Sequence, residues 1–120
     1  MRVENDYVLR LIEQLGALVR QLAERLRVAD TGEPLDVAGQ ALGLALDMDP
    51  AVASELSPRS LASLLRLGSL DERVLRLAHQ ALQVEATALE ARGDTSAAEL
   101  RLRQADAVRA LLTPQNTLSV

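Results

Sequence analysis

Residues 69–112 read SLDERVLRLAHQALQVEATALEARGDTSAAELRLRQADAVRALL, and this stretch decides the fold. It opens with a capping box, Ser69 as N-cap and Glu72 three residues later, a pattern that satisfies orphan amides at a helix start. Val74, Ala78, Ala81, Ala88 and Leu89 then recur at helical spacing up to Arg92, as on one face of an amphipathic helix. Gly93 is the natural stop, because glycine enters the left-handed conformation that closes a helix without a Cβ clash. Asp94 or Ser96 caps a second helix, which carries Ala97, Ala105, Val108 and Leu112 on one side and ends at Thr113-Pro114. Two such helices across a tight glycine turn predict an antiparallel hairpin.

Two charges interrupt its apolar arcs. Glu85 falls near the centre of the first arc and Arg101 inside the second. The turn centres near Gly93, and these two residues lie almost equally far from it along the chain, so the hairpin brings them opposite each other. Unpaired burial of either charge is strongly unfavourable, so an ion pair inside or at the edge of the hairpin is expected. Two alternatives stand beside it: both stems reach solvent independently, or both line a polar pocket.

Upstream, a helix is expected over residues 6–29, capped by Asn5 or Asp6. Val8, Ile12, Leu15, Val19, Leu22, Leu26 and Ala29 alternate at spacings of four and three, a heptad-like stripe. Leu11 and Leu18 widen it on one side, and Leu9, Gly16 and Ala23 on the other. An arc this wide implies that the helix sits centrally in its own bundle or shares a face with a second chain. Asp30-Thr31-Gly32-Glu33 breaks the helix, and Pro34 suits a first helical position. A second helix is read over 34–46, with Leu35, Ala38, Leu42, Ala45 and Leu46 as its stripe and Gly39, Ala41, Gly43 and Ala45 permitting close approach. Asp47 or Asp49 ends it, a short helix follows over 49–56, and Ser57-Pro58 opens a fourth that runs to Leu67 with Gly68 beyond its end.

Composition points the same way. The 120 residues include 25 leucines and 19 alanines, and all 13 basic residues are arginine; leucine, alanine and arginine are strong helix formers. The absence of cysteine excludes disulfides, thiolate nucleophiles and zinc–thiolate sites. A single histidine excludes a multi-histidine metal site within one chain, and the absence of lysine excludes Schiff-base and P-loop chemistry. Tyr7 is the sole aromatic, so there is no base-stacking platform, and a net charge of −4 disfavours a phosphate-binding surface. The first residues, MRVENDYV, lack the apolar core of a signal peptide, and the longest apolar run, from Ala41 to Leu46, is too short to span a bilayer.

Individual candidates are few. His79 shares a polar face with Glu72, Arg76, Gln83 and Glu90, so it is expected in solvent. Tyr7 either packs the start of the first helix against the fifth or sixth, or anchors an interface. Asp30, Glu33, Asp36, Asp47 and Asp49 lack the spacing of a calcium loop, and capping explains them. Residues 57–80 have a helix–turn–helix rhythm in which Arg59, Arg66, Arg73 and Arg76 could touch phosphates. No nucleophile–base pair can be assembled.

Leu82, Ala86, Leu89, the Gly93-Asp94 turn, Ala98, Leu102 and Ala105 follow the large and small pattern of a tetratricopeptide repeat, which this hairpin resembles. Glu85 departs from that pattern, and the closing proline is missing. The segment from Asp6 to Leu15, DYVLRLIEQL, resembles the start of an uncharacterised family of small bacterial helical proteins with tetratricopeptide-like hairpins. The resemblance implies an all-α fold and binding of other proteins or peptides, and no catalytic residue.

The sequence therefore leads to an all-α bundle of five or six helices. Residues 1–114 form a single domain and 115–120 a frayed tail, with hairpins 1–2 and 5–6 bridged by the short helices 3 and 4. The expected function is a non-catalytic, cytoplasmic protein-interaction module without cofactor or metal. It is a homodimer that uses helix 1, with Tyr7, Leu9, Leu11 and Leu18 flanking the exposed apolar strip. The expected partners are a second copy and an unidentified protein or peptide, with no membrane and no nucleic acid. Two rivals are a sensor with a pocket between helices 1, 5 and 6, and a nucleic-acid-associated regulator.

Overall fold

A computed structural model describes residues 2–27, 37–68 and 70–112. Among these, the chain forms six helices and no strand: α1 (Arg2–Arg27), α2 (Val37–Leu46), α3 (Pro50–Ser54), α4 (Pro58–Gly68), α5 (Glu72–Ala91) and α6 (Thr95–Leu112). This is an all-α bundle. The expected break at 30–33, Pro34 and Leu35, the Thr113-Pro114 stop and the tail all lie outside the described residues; the expected capping box does not form, because Asp71 is the N-cap of α5 and Glu72 its first residue.

α5 is the central helix. Val74, Leu75, Ala78, Ala81, Leu82, Glu85, Ala86, Ala88 and Leu89 are all buried along it. On one side it packs against α6, α4 and α2 through a core of Leu42, Leu61, Leu65, Leu75, Leu82 and Val108 with Ala38, Ala53, Ala78 and Ala105 between them. On the other side Val74 and Ala81 meet Leu11 and Leu15 of α1 and Ala41 and Ala45 of α2, and Ala88 meets Leu22. The alternation of leucine with alanine and glycine lets the backbones come close, which compensates for the lack of large rings. α1 is peripheral, not central. Leu11, Leu15 and Leu22 carry its buried stripe, Val8, Ile12 and Val19 are half-buried, and Leu9 is exposed.

The helix ends show local chemistry at work. α1 begins at Arg2, so Asn5 and Asp6 lie inside it rather than capping it; nothing in residues 2–5 breaks a helix. α5 is capped by Asp71, whose carboxylate accepts the Arg73 backbone N–H at 2.8 Å. Arg73 folds back onto the same carboxylate through Nε and Nη2, each at 3.0 Å. That side-chain hydrogen bond, followed by the one from the backbone, holds the Asp71 carboxyl below its ordinary value. Ser57 Oγ accepts the Ser60 N–H at the start of α4, and Asp94 Oδ1 accepts the Ala97 N–H at the start of α6. Gly93 has φ +86°, and Asp94 N–H reaches back to the Leu89 carbonyl at 2.9 Å, the bond of a Schellman motif. α2 ends in the same way, with Asp47 at φ 58° and Met48 N–H on the Gly43 carbonyl at 3.0 Å. Gly68 is the last residue of α4, not a left-handed stop beyond it.

Candidate functional site

Two features stand out: a buried polar network and a surface groove. The network forms around Glu85, 1% exposed on α5. Arg101 of α6 donates from Nε to Glu85 Oε2 at 2.8 Å, and its side chain is only 12% exposed. The hairpin geometry therefore brings this pair together inside the molecule. Glu85 Oε1 accepts the backbone N–H of Ala38 at 2.8 Å. That amide belongs to the first turn of α2, where helix donors lack internal partners and a negative charge is favoured. α2 has no acid of its own in that turn, so α5 supplies one.

Arg101 and Gln104 close the other side. Arg101 Nη1 donates to the Ser54 carbonyl and to Gln104 Oε1, each at 2.9 Å. Gln104 is fully buried, and its Nε2 donates to the carbonyls of Ser54 at 3.2 Å and Leu56 at 2.9 Å. These carbonyls lie at and just beyond the end of α3, where a cation and amide donors are favourable. Among the described residues no buried side-chain nitrogen or oxygen lacks a partner. The network is a clamp across α2, α3, α5 and α6 whose groups are already engaged. Sequence reasoning missed Gln104, although it lies three residues from Arg101 on the same face. It could not have found Ala38, Ser54 and Leu56, which contribute only backbone atoms.

The groove lies between α1 and α2 and encloses about 830 Å³. Leu11, Ala17 and Leu18 come from α1, Gly43 and Leu44 from α2, Met48 from the turn after it and Pro50 from the start of α3. Tyr7, Arg10, Gln14, Gln40 and Asp47 complete the lining. Gly43 cannot be larger: a Cβ there would lie 2.8 Å from the Met48 carbonyl oxygen and 3.2 Å from Pro50 Cα.

The expected interface residues do not form one strip. Leu11 is 4% exposed and belongs to the core beside Leu15, Ala41 and Val74, so it is not free for a partner. Leu18 is half-buried against the same core while lining the groove. Tyr7 and Leu9 are about half exposed, but two residues apart on a helix they face opposite sides. Tyr7 lines the groove and is not packed away against α5 or α6. No residue lining this groove comes from α5 or α6, the helices at which the sensor reading placed its pocket.

The remaining candidates are quiet. His79 is half-buried rather than solvated. Burial and the nearby Arg109 charge lower its pKa, and Asp106 opposes them. Arg73 and Arg76 are paired with Asp71 and Glu72, which blunts them as phosphate contacts. Among the described residues, no three acids or histidines gather as metal ligands, and no helix is long and apolar enough to cross a membrane. Comparison with protein-family models, curated proteins and solved structures finds no match to this chain.

Proposed function

We propose that this chain is a non-catalytic protein-interaction module that acts as a homodimer in the cytoplasm, with the α1–α2 groove as its contact surface. The observation that carries this reading is the groove itself: an open, leucine-lined trough with the chain's sole aromatic half exposed in its lining. Tyrosine in such a position suits a binding anchor, because it offers a large apolar face and a polar tip. The clamp around Glu85 supports the same reading, since its groups serve packing and leave no free base or nucleophile there. Of the residues that carry the tetratricopeptide-like pattern, Leu82, Ala86, Leu89, Ala98 and Ala105 are buried, whereas Leu102 is exposed and departs from it.

Sedimentation equilibrium at micromolar concentration tests the proposal. The expected mass is twice the chain's 12.9 kDa. Leu44→Glu, within the groove, returns the protein to a monomer. Leu67→Glu, at a residue 81% exposed on α4, leaves the dimer intact. A wild-type monomer refutes the homodimer.

A further inference from the structure

We infer that the second copy docks across a two-fold axis that seats Tyr7 of each protomer in the other's groove and pairs each Arg10 with the partner's Asp47. The inference rests on the homodimer reading above and specifies which groups meet.

Charge makes the groove self-complementary. Arg10 stands on its α1 wall and Asp47 at the end of α2, and both are exposed. Neither makes an ion pair or side-chain hydrogen bond with another described residue. Gln14 and Gln40 are the other polar residues of the lining, and both are neutral. In an isologous contact a patch meets itself, so residue i touches j while j touches i. A patch with one sign of charge would repel its copy. This one carries one charge of each sign on opposite walls, so a two-fold that crosses the walls makes two attractive pairs and no repulsive one.

Tyr7 and Arg10 are three residues apart on α1 and therefore project from the same side. A docking that brings Arg10 to the partner's Asp47 carries Tyr7 over the partner's floor of Leu18, Leu44 and Met48. The tyrosine would lose the exposure it has in the single chain.

Charge swaps test the pairing. In an Arg10→Asp homodimer both cross-pairs become acid against acid, and in an Asp47→Arg homodimer both become base against base. Each variant alone should dimerise about tenfold or more weakly, as like charges at an interface oppose association. Mixed together, the two variants should form a heterodimer of near wild-type strength, because every cross-pair is again opposite in sign. Asp47 is left-handed, so arginine there adds backbone strain. Asp47→Asn tolerates that conformation and serves as the second variant; it should weaken the dimer while far-ultraviolet circular dichroism stays unchanged.

A second readout comes from composition. With no tryptophan and one tyrosine, intrinsic fluorescence reports Tyr7 alone. Iodide quenching should fall as concentration carries the protein from monomer to dimer. A wild-type dimer that ignores the charge variants, does not form the heterodimer, or leaves Tyr7 equally quenchable overturns this docking while the homodimer reading stands. A wild-type monomer overturns both and leaves the groove to a partner of another sequence.

Discussion

Replacing Glu85 with alanine is the sharpest test of how this bundle is held together. The substitution removes two acceptors of the clamp, the Glu85 oxygens that serve Arg101 and the Ala38 amide. The Arg101 guanidinium is left almost fully buried without its carboxylate partner. Breaking a buried ion pair by deleting one partner costs about 3–5 kcal/mol. Arg101 keeps the Ser54 carbonyl and Gln104 Oε1, which places its share near the lower end, about 3 kcal/mol. The orphaned Ala38 N–H adds about 1–2 kcal/mol. The expected loss is therefore about 4–5 kcal/mol, a large part of the roughly 5–15 kcal/mol that holds a typical domain. At about 4 °C per kcal/mol for a chain of this size, the melting temperature should fall by roughly 15–20 °C. Urea unfolding followed by circular dichroism measures the loss, at one fixed protein concentration because any self-association is linked to folding. Glu85→Gln keeps the volume but sets an amide donor against a donor, and should cost about 2–3 kcal/mol. Arg76→Gln is the control. It removes a pair whose side chains are 62% and 57% exposed, worth about 0.5 kcal/mol or less. If Glu85→Ala costs no more than that control, the clamp does not hold the fold and the reasoning fails.

Other consequences follow from single positions. Gly93→Ala meets no atom within 4 Å but keeps φ +86°, so it should cost about 1–2 kcal/mol from the backbone alone, read as a lower urea midpoint with an unchanged slope. Gly43→Ala should destabilise by about 1–3 kcal/mol despite alanine's better helix propensity, because the Met48 carbonyl would have to move. The folded pKa of His79 lies below its ordinary 6.5, so the unfolded chain takes up a proton first as pH falls. Its stabilising contribution is therefore present above 6.5 and is lost as pH falls from there toward the folded value. Urea midpoints of wild type and His79→Gln should diverge less at acid pH than above neutrality, and parallel pH profiles would refute this.

Local signals were legible in proportion to how local their physics is. The turn between α5 and α6 needed only a glycine able to adopt positive φ, and Gly93 announced it. The placement of Glu85 opposite Arg101 needed only helix geometry on either side of that turn. The start of α5 was read two residues early, because Asp71 takes the cap and gains the folded-back Arg73. The wide apolar arc of α1 was legible as well, but not what would cover it. Covering depends on which other arc arrives there, and that is set by long-range pairing. Leu11 was placed at a free edge, and the structure puts it in the core beside Ala41 and Ala45.

By itself, then, the sequence determined an all-helical chain, most of its boundaries, and the placement of Glu85 opposite Arg101; that the pair is buried was decided by the tertiary structure. Helix propensity, capping and periodicity act within a few residues, and each leaves its mark in the order of side chains. Only the tertiary structure decided that α5, not α1, lies at the centre. It also decided that Glu85 reaches beyond Arg101 to the first turn of α2, and that the open surface is a groove between α1 and α2. Those outcomes depend on backbone atoms that carry no sequence signal, and on side-chain volumes that meet only after folding. Gly43 shows the same: its lack of a Cβ answers to the Met48 carbonyl and Pro50, which reach it only after the chain has turned.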